Sequence, residues 1–176
     1  IEKVKRQAKE DGVELLVGIA GVQTNQYPRS RDLAFQFKAA GLPVLIGGFH
    51  ITLDPKAREF LQTYGVTTVS GEAETQWAQI IEDYLSGTLK PHYMVTVGMQ
   101  AKTGTGTITV PDITNAPLLP IINKTYQKCY TAPDMMTLET SRGCPFLCNF
   151  CAVTTVLGRK MRARDPKLVI DWIRDV

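Results

Sequence analysis

Short apolar runs alternate with helical patterns through the first half of this 176-residue chain, and that alternation constrains the fold more than any other feature. Leu15-Leu-Val-Gly-Ile-Ala20 is an apolar run of strand length, suited to burial on both faces. Ser30 is positioned to cap a helix over Arg31 to Ala40, which Gly41 can close in a left-handed conformation. Pro43-Val-Leu-Ile-Gly47 reads as the next buried strand. Asp54-Pro55 opens a second helix, because Asp accepts from free backbone N–H groups and Pro lacks one where none is needed; it runs to about Tyr64 and stops at Gly65. Val66 to Ser70 is a third strand, and Glu74 to Leu85 a third helix, with Trp77, Ile80, Ile81 and Tyr84 at helical spacing and Gly87 behind it. This order calls for crossover units on a parallel sheet. With right-handed crossovers it predicts a Rossmann-like, doubly wound α/β fold. Ile1 to Gly12 reads as the end of a preceding helix, so the sheet is expected to be partial, with N-terminal elements missing.

The pattern breaks between Lys90 and Pro133. Tyr93 to Val97 and Thr105 to Val110 alternate weakly and are expected to pair as a hairpin, turning near Lys102-Thr-Gly104. Pro111, Pro117, Pro120 and Pro133 mark an extended connector. The repeated Gly-Thr lacks the spacing of a phosphate loop and no helix follows it, so it reads as a turn. A new unit then begins, with a strand over Met135 to Glu139, a long loop from Thr140 to about Gly158, and a helix from Lys167 to Val176 capped by Asp165-Pro166. The expected organisation is three parts: residues 1–89, a connector over 90–133, and 134–176. The sequence does not open on Met and stops inside a helical pattern, so it is expected to be a fragment, catalytically inactive alone.

The loop carries Thr140-Ser-Arg-Gly-Cys-Pro-Phe-Leu-Cys-Asn-Phe-Cys151, which holds three of the chain's four cysteines. A tight cysteine cluster in a chain that is neither cysteine-rich nor led by a secretory signal is a metal or redox site more often than a disulfide framework. Cysteine sulfur is the soft, anionic ligand that iron–sulfur clusters need. Three thiolates can hold three irons of a 4Fe-4S cube and leave the fourth open to another ligand, whereas a four-cysteine ferredoxin needs a further Cys and none follows Cys151. The other reading is a zinc module. It requires a fourth ligand, and Cys129, His50 and His92 all lie far off in sequence; Cys129 reads better as a small buried apolar residue.

Cys144-x-x-x-Cys148-x-x-Cys151, with Phe150 before the third cysteine and Ser-Arg-Gly ahead of the first, resembles the radical S-adenosylmethionine superfamily. The resemblance implies that Cys144, Cys148 and Cys151 bind a 4Fe-4S cluster, with S-adenosylmethionine on the fourth iron and Phe150 at its adenine edge. It implies reductive cleavage of the sulfonium to methionine and a 5′-deoxyadenosyl radical, with the electron supplied by an external donor of flavodoxin or ferredoxin type. The implied fold is a partial (β/α) barrel, of which residues 134–176 would be the first strand–loop–helix unit. Arg142 is placed to counter cluster charge, and the basic run Arg159, Lys160, Arg162 and Arg164 reads as a solvated loop or barrel-end contact.

The first half resembles the cobalamin-binding domain that precedes many such barrels, through Leu16 to Ala20, Val44-Leu-Ile-Gly-Gly-Phe-His50 and Val69-Ser-Gly-Glu-Ala-Glu74. Ligands of open α/β sheets sit at the carboxyl ends of strands. On the resemblance, Thr24 would donate to a corrin side chain, and Gly47-Gly48 would let a flat ring approach the backbone; the pair also reads as a plain tight turn. Glu72 and Glu74 read equally as acids at a helix start. His50 is not expected to ligate cobalt, because the Asp-x-His-x-x-Gly ligand motif is not in the sequence.

Together these readings predict a cobalamin-dependent radical enzyme acting on a small-molecule substrate in the cytoplasm, with methyl transfer to an unreactive carbon as the leading reaction. A non-methylating radical enzyme (cyclising or rearranging) without cobalamin and a non-enzymatic zinc-binding module are the alternatives. A methylthiotransferase would need cysteines for a second cluster, and residues 1–128 contain none. A net charge of +3 argues against a nucleic-acid partner, a composition 44% hydrophobic and 21% charged argues against disorder, and no apolar run is long enough to span a bilayer.

Overall fold

The computed structural model describes residues 1–94, 112–115 and 138–175. The chain divides into two compact units, Ile1–Thr109 and Val110–Val176.

In the first unit, helix α1 (Glu2–Asp11) leads into strand β1 (Val17–Ile19), followed by α2 (Tyr27–Ala39), β2 (Val44–Gly47), α3 (Phe49–Leu53), α4 (Pro55–Thr63), β3 (Thr67–Ser70), a short 3₁₀ turn (Ala73–Thr75), α5 (Trp77–Leu85) and β4 (His92–Met94). The four strands form one parallel sheet in the order β1-β2-β3-β4, with Val17 beside Val44, Leu45 beside Thr67 and Thr68 beside His92. The expected parallel α/β sheet is therefore present.

Side chains of a strand alternate between faces, and both faces here are covered. Val44 and Ile46 pack with Val22, Ala34 of α2, Ile51 of α3 and Leu61 of α4. Leu45 and Val69 pack on the other face with Ile80 of α5 and Tyr93 of β4. The strand order steps one way and does not reverse among the described strands. Because α5 lies on the face opposite α2 and α4, the step from β3 to β4 has the opposite hand to the two before it. The two crossovers expected from the sequence, joining β1, β2 and β3, share one hand; the step to β4 lies beyond that expectation. What holds the exception is local: the Tyr93 hydroxyl donates to Asp83 Oδ2 of α5 at 2.6 Å, and Lys90 N–H donates to the Tyr93 oxygen at 3.1 Å.

Element ends follow backbone chemistry. Asp54 caps α4 as expected, accepting from the amides of Lys56 and Ala57. Ser30 does not cap α2. That helix begins at Tyr27, after Gln26, with Pro28 in its first turn. The helix expected from Glu74 is broken into the 3₁₀ turn and α5. Tyr93 and Met94, expected to open a hairpin, extend the sheet as β4; the rest of that hairpin lies outside the described residues. The expected boundary at residue 89 thus falls just ahead of a strand of the sheet.

The second unit contains β5 (Ser141–Arg142), α6 (Val153–Val156), β6 (Arg162–Ala163) and α7 (Pro166–Asp175). Strands β5 and β6 pair antiparallel, Ser141 with Ala163 and Arg142 with Arg162. Asp165 Oδ1 accepts from the Lys167 amide at 2.8 Å at the start of α7, as the sequence predicts. Of the strand expected over Met135 to Glu139, residues 135–137 lie outside the described residues, and Leu138 and Glu139 are not in a strand. Cys129 also lies outside them.

Candidate functional site

All four strands of the first unit run parallel, so their carboxyl ends share one edge of the sheet. Thr24, Gly47, Gly48 and His50 all lie at that edge. Thr24 is exposed in the turn between β1 and α2. The backbone of Val22 is tied to the end of β2, its amide donating to the Gly47 carbonyl at 3.1 Å and its carbonyl accepting from the His50 amide at 3.0 Å. This explains the glycine pair from within the chain. A Cβ on Gly48, whose φ is +134°, would lie 2.1 Å from the Val22 nitrogen. A Cβ on Gly47 would lie 3.1 Å from the Val69 carbonyl oxygen. Close approach is thus required at both glycines, but by the neighbouring backbone rather than by an added ring.

His50 is largely buried at this edge. Its ring lies 4.2 Å from that of Tyr27, and its Nε2 has no hydrogen-bond partner among the described residues and sits 3.8 Å from Asp54 Oδ2. Beneath it, Thr52 Oγ1 donates to the Gly48 carbonyl at 2.8 Å and accepts from the Gly71 amide at 3.0 Å, linking the ends of β2 and β3. Glu72 is buried just beyond β3 and makes no side-chain cap to the 3₁₀ turn.

In the second unit, Cys144, Cys148 and Cys151 are free thiols on one loop; Cys148 is exposed and the other two are half-buried. Two backbone bonds shape the loop, from the Cys144 amide to the Gly158 carbonyl at 3.1 Å and from the Cys151 amide to the Cys148 carbonyl at 3.0 Å. Gly143, at φ +86°, passes so close to Lys160 that a Cβ would lie 2.3 Å from that residue's carbonyl oxygen. No group of three or more His, Cys, Asp or Glu among the described residues is arranged to hold a metal ion. The donor chemistry fits a thiophilic metal group, while convergence of the three sulfurs requires the loop to close around it. Phe150 is 93% exposed, and Phe146, Leu147 and Met161 are also exposed. The loop therefore carries an apolar surface beside its thiols.

Sequence reasoning did not single out Glu139. Its carboxylate accepts from Arg142, with Nε 2.9 Å from both oxygens, and from the Arg164 guanidinium at 3.0 Å. The Arg164 Nε also donates to the Glu139 carbonyl at 2.8 Å. Burial alone would raise the pKa of Glu139, but the Arg142 and then Arg164 bonds and charges outweigh it and hold the carboxyl below its ordinary range. Of the basic run, Arg159 and Lys160 are exposed as a solvated loop requires, whereas Arg162 and Arg164 are buried, which corrects the solvated reading for those two; Arg162 donates to the Leu157 carbonyl at 2.9 Å. Arg142 faces Glu139. The signal was an acid three residues ahead of an arginine, too common a pattern to mark a site.

No protein-family model matches the chain. It is similar to the bacteriochlorophyllide d C-8(2)-methyltransferase of Chlorobaculum tepidum, 28% identical over 165 residues that cover 94% of this chain and 34% of that protein. It is also similar to the bacteriochlorophyllide d C-12(1)-methyltransferase of the same organism, 31% identical over 137 residues, 78% of this chain and 27% of that one. An uncharacterised methyltransferase of Synechocystis sp. is 39% identical over 56 residues, 32% of this chain and 10% of its own length. The chain thus spans about a third of the length of the curated relatives it matches along most of its sequence. Among the described residues, no helix is long and apolar enough to cross a membrane.

Proposed function

We propose that this chain is part of a cobalamin-dependent radical S-adenosylmethionine methyltransferase that acts on a small molecule in the cytoplasm. The observation that carries the reading is the coincidence of two facts: three free thiols spaced Cys144-x-x-x-Cys148-x-x-Cys151 on one loop, and similarity to methyltransferases along 94% of the chain. The two curated relatives are named for different carbons of bacteriochlorophyllide d, so what this chain shares with both is methyl transfer rather than the choice of carbon. A substrate of that kind, a large flat macrocycle, is the leading candidate here.

Cys144, Cys148 and Cys151 would hold three irons of a 4Fe-4S cluster and leave the fourth for S-adenosylmethionine. When bound, the cluster supplies one electron, drawn from a flavodoxin- or ferredoxin-type donor, to the sulfonium. Phe150, beside the third thiol and exposed, is available to meet the adenine ring. At the carboxyl edge of the parallel sheet, Thr24 offers a hydroxyl, and the backbone around Gly47 and Gly48 offers a surface for a corrin. The reducing cytoplasm keeps exposed thiols such as Cys148 available for iron.

The test is iron and acid-labile sulfide per chain after anaerobic reconstitution, beside a Cys144→Ala/Cys148→Ala/Cys151→Ala control, followed by hydroxocobalamin titration. About four irons per chain, lost in the control, is the expected result. Zinc retained in place of iron would overturn the reading in favour of a metal-stapled binding module. Iron–sulfide uptake without cobalamin binding would overturn the cobalamin assignment alone.

A further inference from the structure

The cysteine loop has a neck, and one carboxylate spans it. The loop runs from Gly143 to Met161 between two strands only two residues long, β5 and β6. So short a ladder has little to set against the entropy of closing the loop. Three side chains reinforce it. Arg142 lies on β5, Arg164 lies just past β6, and both point at Glu139. Arg142 engages both oxygens of the Glu139 carboxylate, and Arg164 engages one of them together with the Glu139 carbonyl. Arginine forks of this kind fix orientation as well as distance. Arg164 is 5% exposed at its side chain and Arg142 is 11% exposed, so both guanidiniums are sheltered, while the Glu139 side chain, 44% exposed, meets water on its outer side. The backbone follows the same closure: the Arg164 amide donates to the Thr140 carbonyl at 2.9 Å, and the Cys144 amide to the Gly158 carbonyl at 3.1 Å. The clamp therefore acts on the first thiol-bearing residue, while Cys148 lies exposed at the far part of the loop.

We propose that Glu139, through Arg142 and Arg164, is a positioning residue that holds the neck of the Cys144–Cys151 loop in the one geometry from which three thiolates can converge on an iron–sulfur cluster. This rests on the cluster reading given above and adds to it the residue that prepares the loop. Glu139 touches neither metal nor substrate. It works by limiting the arrangements open to Cys144 before the metal arrives. Residues that orient metal ligands in this way alter affinity by about ten- to a hundredfold when replaced.

The experiment uses the whole chain and two variants. Glu139→Gln keeps the shape of the side chain and loses its charge; Arg164→Lys keeps the charge and loses the fork. Three properties are measured: hydrogen exchange at the Cys144 amide without metal, iron and sulfide uptake on anaerobic reconstitution, and the paramagnetic resonance spectrum of the reduced, loaded fraction. The expected result is faster exchange at Cys144, uptake weakened by about tenfold, and a spectrum split into more than one species because the neck admits more than one arrangement. Uptake that falls while the spectrum of the loaded fraction stays that of the wild type would overturn the positioning role and leave a merely structural one. Wild-type exchange, uptake and spectrum in both variants would overturn it outright. Should Glu139→Gln unfold the second unit, Arg164→Lys decides by the same three measurements. A wild-type chain that takes up no iron and sulfide would instead bring down the cluster reading itself, and is distinguished from the other failures because it needs no variant.

Discussion

Gly48 adopts φ +134°, a region that side chains rarely enter, and the space a Cβ would need is filled by the backbone of Gly21 and Val22. Gly47, its neighbour, has ordinary backbone and a nearest would-be contact of 3.1 Å. The two glycines therefore differ in consequence. Gly48→Ala is expected to cost at least about 3 kcal/mol, from strain and clash together, and Gly47→Ala about 1–2 kcal/mol, as overpacking usually does. Urea denaturation of the two variants checks this, and equal effects would refute the distinction. The glycine pair was visible in the sequence, but its cause was not. A glycine is conspicuous in one dimension, whereas the atom that forbids its side chain comes from a loop more than twenty residues earlier. Glu139 escaped notice for the same reason, since Arg164 is 25 residues away.

Elements were legible where burial is two-sided. Val44, Leu45 and Ile46 are all buried, and an unbroken apolar run announces such a strand. The cap of α4 was legible because Asp-Pro is a local signal; Asp54→Ala is expected to cost about 1 kcal/mol, read from the same denaturation curves. Strand β4 was not legible as part of the sheet, because only Tyr93 of its three residues is fully buried and the other side-chain attachment, at His92, is polar. The His92 Nδ1 lies 2.8 Å from the Thr68 hydroxyl oxygen, which also accepts from Gln62. Burial holds the His92 pKa below its ordinary value, partly opposed by its bond to Thr68. The folded state therefore binds fewer protons there than the unfolded state does, and stability falls as pH drops below about 6.5. Asp83 behaves differently in range but alike in sign. Its hydrogen bonds from Tyr93 and Gln79 and the nearby Lys90 lower its pKa, so its contribution is present above the ordinary carboxylate range and lost as pH falls through it. Denaturation midpoints at pH 8, 6 and 5 are expected to decline in the wild type and to decline less in His92→Asn. Parallel slopes would show that His92 does not carry the effect. Tyr93→Phe is expected to flatten instead the decline below about pH 4, read from midpoints extended into that range.

At the scale of the molecule, the described residues of the two units bury different things. The first unit buries two apolar clusters, one on each face of its sheet. Among the described residues of the second, Val156 and Ile113 are the fully buried apolar side chains, beside the buried Arg162 and Arg164. Small folding units draw part of their stability from sources other than apolar burial, a bound metal group among them. The motif that announces chemistry in the sequence is thus also the expected staple of the loop that bears it, and that role was hidden because a cysteine spacing does not report what packs around the loop. Binding that favours the folded loop over the open one stabilises it by mass action. Arg159 and Lys160, exposed on that loop, are trypsin sites and report its opening. Without metal, cleavage after these two residues is expected to be among the earliest events of limited proteolysis. After anaerobic iron and sulfide loading it is expected to slow by about tenfold or more, while the Cys144→Ala/Cys148→Ala/Cys151→Ala variant shows the same rate with and without reconstitution. Equal cleavage of loaded and unloaded wild type would mean that the loop closes without metal, through contacts of its own such as the Glu139 clamp.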